Sequence, residues 1–287
     1  WPRPTDDHCS THHRGHRLSD DQRPVIIKPT MDASGVRPGA DQVEKTVRDM
    51  AQTISAEGAK AGQGVERIGD GAKRGADATQ RETGRMIAAV QRLQAEIAAH
   101  WPAADLPTLA AQVEQETCIS LTHSKCWSQR AELRTSRERG VGLGQITRTE
   151  RFDSLAEMRA HHPRELAGWA WDSRTLYAPA YQLRALVLMN RGNWDRITNT
   201  ATPQDRTAMM LVAYNGGAGR VVNDRRLCAA TPGCDPARWF GHAEHTSMLP
   251  RHSTHAGYRS FFEINREYPR NILLTRRAKY TIWTPVT

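Results

Sequence analysis

The sequence predicts a mainly α protein, with a globular helical domain over 101–287 preceded by a helical segment rich in Gly and Ala. Three observations carry that expectation. Apolar residues recur at three- and four-residue steps over most of the chain. The segments so marked end at Gly-, Pro- or Cys-containing loops. The only runs with strand character, near 141–147 and 279–283, are short.

Residues 1–30 hold Pro, His, Asp and Arg without periodicity and read as a disordered or non-native tail. Within it, the tract "HCSTHHRGH" around Cys9 offers four histidines to a transition metal, but its composition is that of a tag or tail. Residues 31–100 differ. Val43, Val47, Met50, Ile54, Val65, Ile68, Met86, Val90, Leu93 and Ile97 follow helical steps with charged residues between them. The middle of this segment is Gly-rich, and each interior glycine costs ~1 kcal/mol against alanine in a helix. A spacer or stalk follows, with self-association through its apolar stripe as the expected partner interaction. Membrane-surface association is the weaker option because bulky apolar residues are few.

From Trp101 onward helices are expected at 105–117, 154–169, 174–191, 204–214 and 258–274. The first is the most explicit. Asp105 suits the N-cap and Pro107 the first turn. Leu106, Leu109, Ala110 and Val113 form an apolar stripe that Glu116 shares, whereas Glu114 is rotated away and is expected to face water.

Composition limits the function classes. Hydrophobic residues make up 38% of the chain and the mean hydropathy is −0.65, so the core is modest and the surface polar. No run approaches the ~20 apolar residues of a membrane span, and none resembles a signal-peptide apolar region. The first residue, Trp1, is compatible with a start inside a longer product, a processed end or vector sequence. Residues 1–100 carry 15 basic and 14 acidic side chains and 101–287 carry 25 and 17, so nearly all of the +9 excess lies in the C-terminal part. Such a surface suits an anionic partner such as a cell envelope. The arginines are scattered and no zinc-finger, RRM or KH signature is present, so no specific nucleic acid is expected.

Four of the five cysteines form two close pairs, Cys118 with Cys126 and Cys228 with Cys234. Neither spacing suits zinc, and two local disulfides in an oxidising compartment are favoured over four free thiols.

Three stretches are unlike generic core. The helix ending at Glu116-Thr117 places a carboxylate on a buried face. In Arg137-Glu-Arg-Gly-Val-Gly-Leu-Gly-Gln-Ile146, glycines at 140, 142 and 144 allow close backbone approach beside Gln145. This is no dinucleotide fingerprint, because no strand–turn–helix unit with a downstream acid surrounds it. In Leu211-Val-Ala-Tyr-Asn-Gly-Gly-Ala-Gly219 an apolar helix ends at Tyr214 and Asn215, then stops at glycines.

In this order the stretches resemble the lysozyme-like catalytic domain of soluble lytic transglycosylases, related to goose-type lysozymes, over about 101–287. That family carries Glu-Ser at a helix end, Gly-Leu-Met-Gln-Ile in a loop, Ala-Tyr-Asn-x-Gly, and a later tyrosine. Here stand Glu116-Thr117, Gly142-Leu143-Gly144-Gln145-Ile146 and Ala213-Tyr214-Asn215-Gly216-Gly217, with Tyr268 for the last. The Cys loops and "CDPARWFGH" look like phage-encoded members. The family's serine is Thr117 here and its loop methionine is Gly144. An insertion at 118–137 lengthens the gap, with Thr135 or Ser136 as the hydroxyl near the acid.

The resemblance implies that Glu116 is the catalytic acid and then base, acting on the MurNAc–GlcNAc bond of peptidoglycan. The muramic acid C6 hydroxyl attacks its own anomeric carbon and leaves a 1,6-anhydro sugar. Gln145, Tyr214, Asn215, Tyr268 and Gly142 would hold the glycan, and neither metal nor cofactor enters. The expected place is the periplasm or envelope of a bacterial host, or a virion. The competing roles are a helix-end salt bridge for Glu116, a backbone-satisfying loop residue for Gln145 and core packing for Tyr214. The rival enzyme is a muramidase in which Glu138 orients water, against a solvated charge between Arg137 and Arg139. The rival outside enzymes is a peptidoglycan-binding virion component.

Overall fold

Helix α1 (Glu66–His100) opens the computed structural model, which describes residues 66–118, 123–135, 138–253 and 259–283. The 1–30 tail with Cys9, residues 31–65 of the segment after it, Ser136 and Arg137 lie outside these residues. The molecule is mainly helical, as expected, with seven α-helices and one small sheet among the described residues.

Helix α1 is not a detached stalk at its C-terminal end. Ala89, Val90, Leu93 and Ile97 are buried in the main core, because they bring bulky apolar groups to one face at helical spacing. The buried carboxylate of Glu96 meets the Arg184 guanidinium at 2.8 Å, and Arg191 donates to the His100 carbonyl at 2.9 Å. The boundary expected at Trp101 therefore falls inside the packed unit. No helix among the described residues is long and apolar enough to cross a membrane.

Helix α2 (Leu106–Thr117) begins where Asp105 and Pro107 predict, with Asp105 Oδ2 accepting from the Thr108 amide at 3.0 Å. It is buried on almost every side. Strands β1 (Glu132–Arg134), β2 (Glu138–Val141) and β3 (Ile146–Thr149) form an antiparallel sheet. Val141 pairs with Ile146 across the turn Gly142–Gln145, so the strand expected near 141–147 is two strands with a turn between them. Helix α3 (Ser154–His161) stops short of the expected 169 because Pro163 disfavours helical backbone at the residue before it. Helix α4 (Pro179–Arg196) starts later than expected, since Pro179 fits only the first turn. Helix α5 (Pro203–Gly216) is capped by Thr202 and followed by α6 (Ala218–Ala229), which the sequence reading missed. Its Gly-rich start and weak apolar stripe gave little signal.

Helix α7 (Phe261–Arg270) carries a capping box between Ser260 and Glu263. Pro269 lies inside it, and the chain continues as a π-helical turn (Asn271–Arg276) and a 3-10 segment (Arg277–Trp283). The strand expected at 279–283 is thus helical. Its apolar pattern instead lays Tyr280 against α2, edge-on to Trp127.

Two cores share α4. Leu183, Leu186 and Val187 join the main core with α1, α2 and α5, while Ala185 and Leu188 join Val141, Ile146, Leu155 and Trp169 beneath the sheet. Cys118–Cys126 and Cys228–Cys234 are both disulfides, as the spacing suggested.

If α1 belongs to the core, Leu93→Ala lowers unfolding free energy by about 3 kcal/mol, as a fully buried leucine should. A fragment 80–287 then melts cooperatively and 101–287 does not. Wild-type stability in Leu93→Ala, read by urea denaturation, would return α1 to the status of an appendage.

Candidate active site

The C-terminus of α2 is fixed from three directions. Thr117 Oγ1 donates to the Val113 carbonyl at 2.7 Å and accepts from the Trp127 amide at 3.1 Å. The Cys118–Cys126 disulfide ties the chain leaving the helix to that same Trp127 segment. The hydroxyl thus braces the backbone beneath Glu116, a role open to the serine of the resembled family as well.

Glu116 lines a cleft of about 980 Å³, a volume at the upper end of small-molecule pockets and suited to an extended ligand. Tyr268, buried on α7, donates its hydroxyl to Glu116 Oε1. No cation is paired with the carboxyl among the described residues, so none of them makes the helix-end salt bridge. Burial raises its pKa from 4.5 to about 7, against the opposing pull of the Tyr268 hydrogen bond. Burial and the nearby Glu116 charge push the Tyr268 phenol well above its ordinary value, so it stays a donor.

Glu114, two residues earlier, corrects the sequence reading. It is 3% exposed, not solvent-facing. Lys279 Nζ at 2.7 Å, the Tyr280 hydroxyl at 2.6 Å and Arg276 at 3.4 Å surround its carboxylate. The helical wheel is right about direction, but the π-helical turn and the 3-10 segment cover that face and supply its partners.

The loop and α5 form the opposite part of the cleft. Tyr214 donates to the Gly144 carbonyl at 2.6 Å, tying the loop to α5. A Cβ at 144 would lie 2.8 Å from that hydroxyl, which explains why the methionine of the resembled family has no place here. Gln145 lines the cleft with φ +45°, yet its amide Nε2 donates to the Gly142 and Ala131 carbonyls at 2.9 and 3.3 Å. Its donor holds the loop, and only its oxygen remains as a ligand acceptor. Asn215 is exposed in the cleft, and its Oδ1 accepts from Asn265 at 3.0 Å, which orients its amide donor.

Gly142 is not a cleft residue. It is buried with φ +81°, and a Cβ there would come within 2.3 Å of the Gln182 side chain, so its role is to let the turn close. Glu138 does line the cleft, from the exposed first position of β2. Arg139 pairs with Glu132 at 2.6 Å rather than with Glu138. Thr135 Oγ1 accepts from the Glu138 amide at 3.1 Å.

The structure adds residues the sequence reading did not select. Asn265 stands three positions before Tyr268, on the same face of α7, and that spacing could have identified it. Gln112, one turn before Glu116, is completely buried and donates to the Tyr268 hydroxyl at 3.1 Å. Exposed Phe152, Leu133, Phe261 and Ile264 give the cleft apolar walls. Compared with known proteins, the chain matches no family model and no curated protein.

The two glutamates of α2 should respond oppositely to amide replacement. A carboxyl with a folded pKa near 7 and an ordinary unfolded value costs nothing below pH 4.5, and its penalty grows until pH passes 7. Glu116→Gln therefore matches wild-type stability near pH 4 and exceeds it above pH 7, by at most about 3 kcal/mol. Glu114→Gln loses about 2 kcal/mol, because the buried carboxylate is the acceptor for the Tyr280 hydroxyl, Lys279 and Arg276. Urea titrations at both pH values read this, and equal effects of the two changes would overturn the assignment of helix faces.

Proposed function

We propose that the protein is a peptidoglycan lytic transglycosylase with Glu116 as its single acid–base group. The observation that carries the reading is a half-buried carboxyl at a helix end, with no cationic partner among the described residues and a pKa lifted to about 7, lining a cleft of about 980 Å³. Such a group is protonated often enough at neutral pH to serve as a general acid. It gives its proton to the glycosidic oxygen as the bond from the muramic acid C1 breaks. As carboxylate it then takes the proton of the C6 hydroxyl while O6 closes onto C1. The proton taken restores the acid, and no water is consumed.

Tyr214 and Asn215 supply the polar side of the glycan site, Gln145 an acceptor, and the exposed apolar walls contact for sugar faces. The two disulfides suit an extracytoplasmic setting, the envelope of a bacterial host or a virion that reaches it. The basic surface of 101–287 suits the anionic polymers there.

Glu138 supports a second reading because it lines the same cleft. A muramidase would use it as the base that directs water while Glu116 serves as the acid.

Mass spectrometry of peptidoglycan digests separates the readings. Muropeptides ending in 1,6-anhydro-muramic acid, lighter by one water than hydrolysed ones, are expected, with rate and product nearly unchanged in Glu138→Gln. Reducing-end muramic acid together with an inactive Glu138→Gln would make the protein a hydrolase. Binding to peptidoglycan without cleavage between pH 5 and 8 would leave only a binding component.

A further inference from the structure

A chain of buried amides lies behind the acid. Asn190 of α4, fully buried, donates through Nδ2 to Gln112 Oε1 at 2.8 Å and to the Leu186 carbonyl at 2.9 Å. Gln112 donates through Nε2 to the Tyr268 hydroxyl at 3.1 Å, and Tyr268 donates to Glu116 Oε1. Every link points the same way, towards the carboxyl.

The direction follows from the first link. A helix carbonyl can only accept, so Leu186 requires the nitrogen of Asn190 on its side. That nitrogen also faces Gln112, which must then present its oxygen to Asn190 and its nitrogen to Tyr268. The phenol oxygen accepts, and its one proton is directed to Glu116. With the amides turned over, Tyr268 would donate to Gln112 instead and leave the acid without its donor.

We propose that Gln112 and Asn190 are positioning residues that make Tyr268 an obligate donor to Oε1 of Glu116, so that the acid carries its proton on Oε2. This rests on the reading of Glu116 as the acid. An oxygen already accepting the Tyr268 proton is the poorer site for a second one, and Oε2 is the atom left for the glycosidic oxygen. Each amide of the chain is remote from the cleft and acts only through the next.

Few other groups compete for control of Glu116. Tyr214 of α5 feels its charge, and burial keeps that phenol's pKa well above its ordinary value. On α2 itself Glu114 is held by Lys279 and Arg276. Of the charged and titratable groups lining the cleft, Lys125 donates to the Glu132 carbonyl, Glu132 pairs with Arg139 and Arg220 donates to the Gly216 carbonyl, while Glu138, Glu157, His161 and Arg196 are exposed and His162 is half-buried.

The test is the titration of the Glu116 carboxyl in the intact protein, read by infrared spectroscopy and assigned by the band lost in Glu116→Gln. In Gln112→Met the phenol oxygen is released to accept from the neutral acid, and the midpoint should rise by about one pH unit. Tyr268→Phe should raise it at least as far, and the double variant no further. Asn190→Ala should shift it in the same direction and carries the test if Gln112→Met does not fold. A midpoint unmoved in a folded variant, whatever its melting temperature, would overturn the proposal, as would failure of both amide variants to fold. The titration needs no substrate. A shifted midpoint in a protein that leaves peptidoglycan intact would keep the relay and remove the function, and an unmoved midpoint in an active protein would remove the relay alone.

Discussion

The hydrogen bond from Tyr268 to Glu116 joins the end of α2 to a helix contributed from near the other end of the domain, and the rest of the structure can be ordered by how it serves that contact. Helix α2 is enclosed by α1, the disulfide-bonded segment at Trp127 and the turns after α7. The enclosure strips part of the water from the carboxyl and raises its pKa. Without the Tyr268 donor, the same burial would hold the acid still more firmly in its neutral form. Burial and one hydroxyl together set a value near neutrality, where a carboxyl can both give and take a proton.

Glu114 and Glu116 show how strongly surroundings decide the part a carboxylate plays. They lie on one helix, two residues apart, Glu114 buried and Glu116 half-buried at the edge of the cleft. Glu114 meets a lysine, an arginine and a phenol, and it anchors the C-terminal segment to α2. Glu116 meets a phenol and a cleft. A structural clamp and a candidate acid are made from the same residue type, and the tail held by the first helps to shield the second.

Much of this was legible in the sequence where the cause is local. Asp105 with Pro107 starts α2, the helix expected from 204 is α5, and the close cysteine pairs close short loops. Glu116, Gln145, Tyr214 and Asn215 do gather on one cleft, and Tyr268 meets the acid. What escaped depends on distant chain. The burial of Glu114 needs the tail at 276–280, and the periodicity of 105–117 holds no trace of it. Gln112 reads as an ordinary polar helix residue until Asn190 and Tyr268 meet it from two other helices. Gly142 has the glycine of a binding loop, but its freedom serves the turn against Gln182. The core role of the C-terminal part of α1 was hidden by the Gly-rich sequence of its first half, which suggested a spacer for the whole segment.

The central claim is that the protonated Glu116 carboxyl is the acid that breaks the glycan. The pH dependence of kcat/KM on purified glycan strands tests it most directly, because that quantity reports the free protein's essential acid. Activity should fall as pH rises through about 7, the value at which Glu116 loses its proton. Activity that stays level or climbs from pH 6 to 9 would contradict the account.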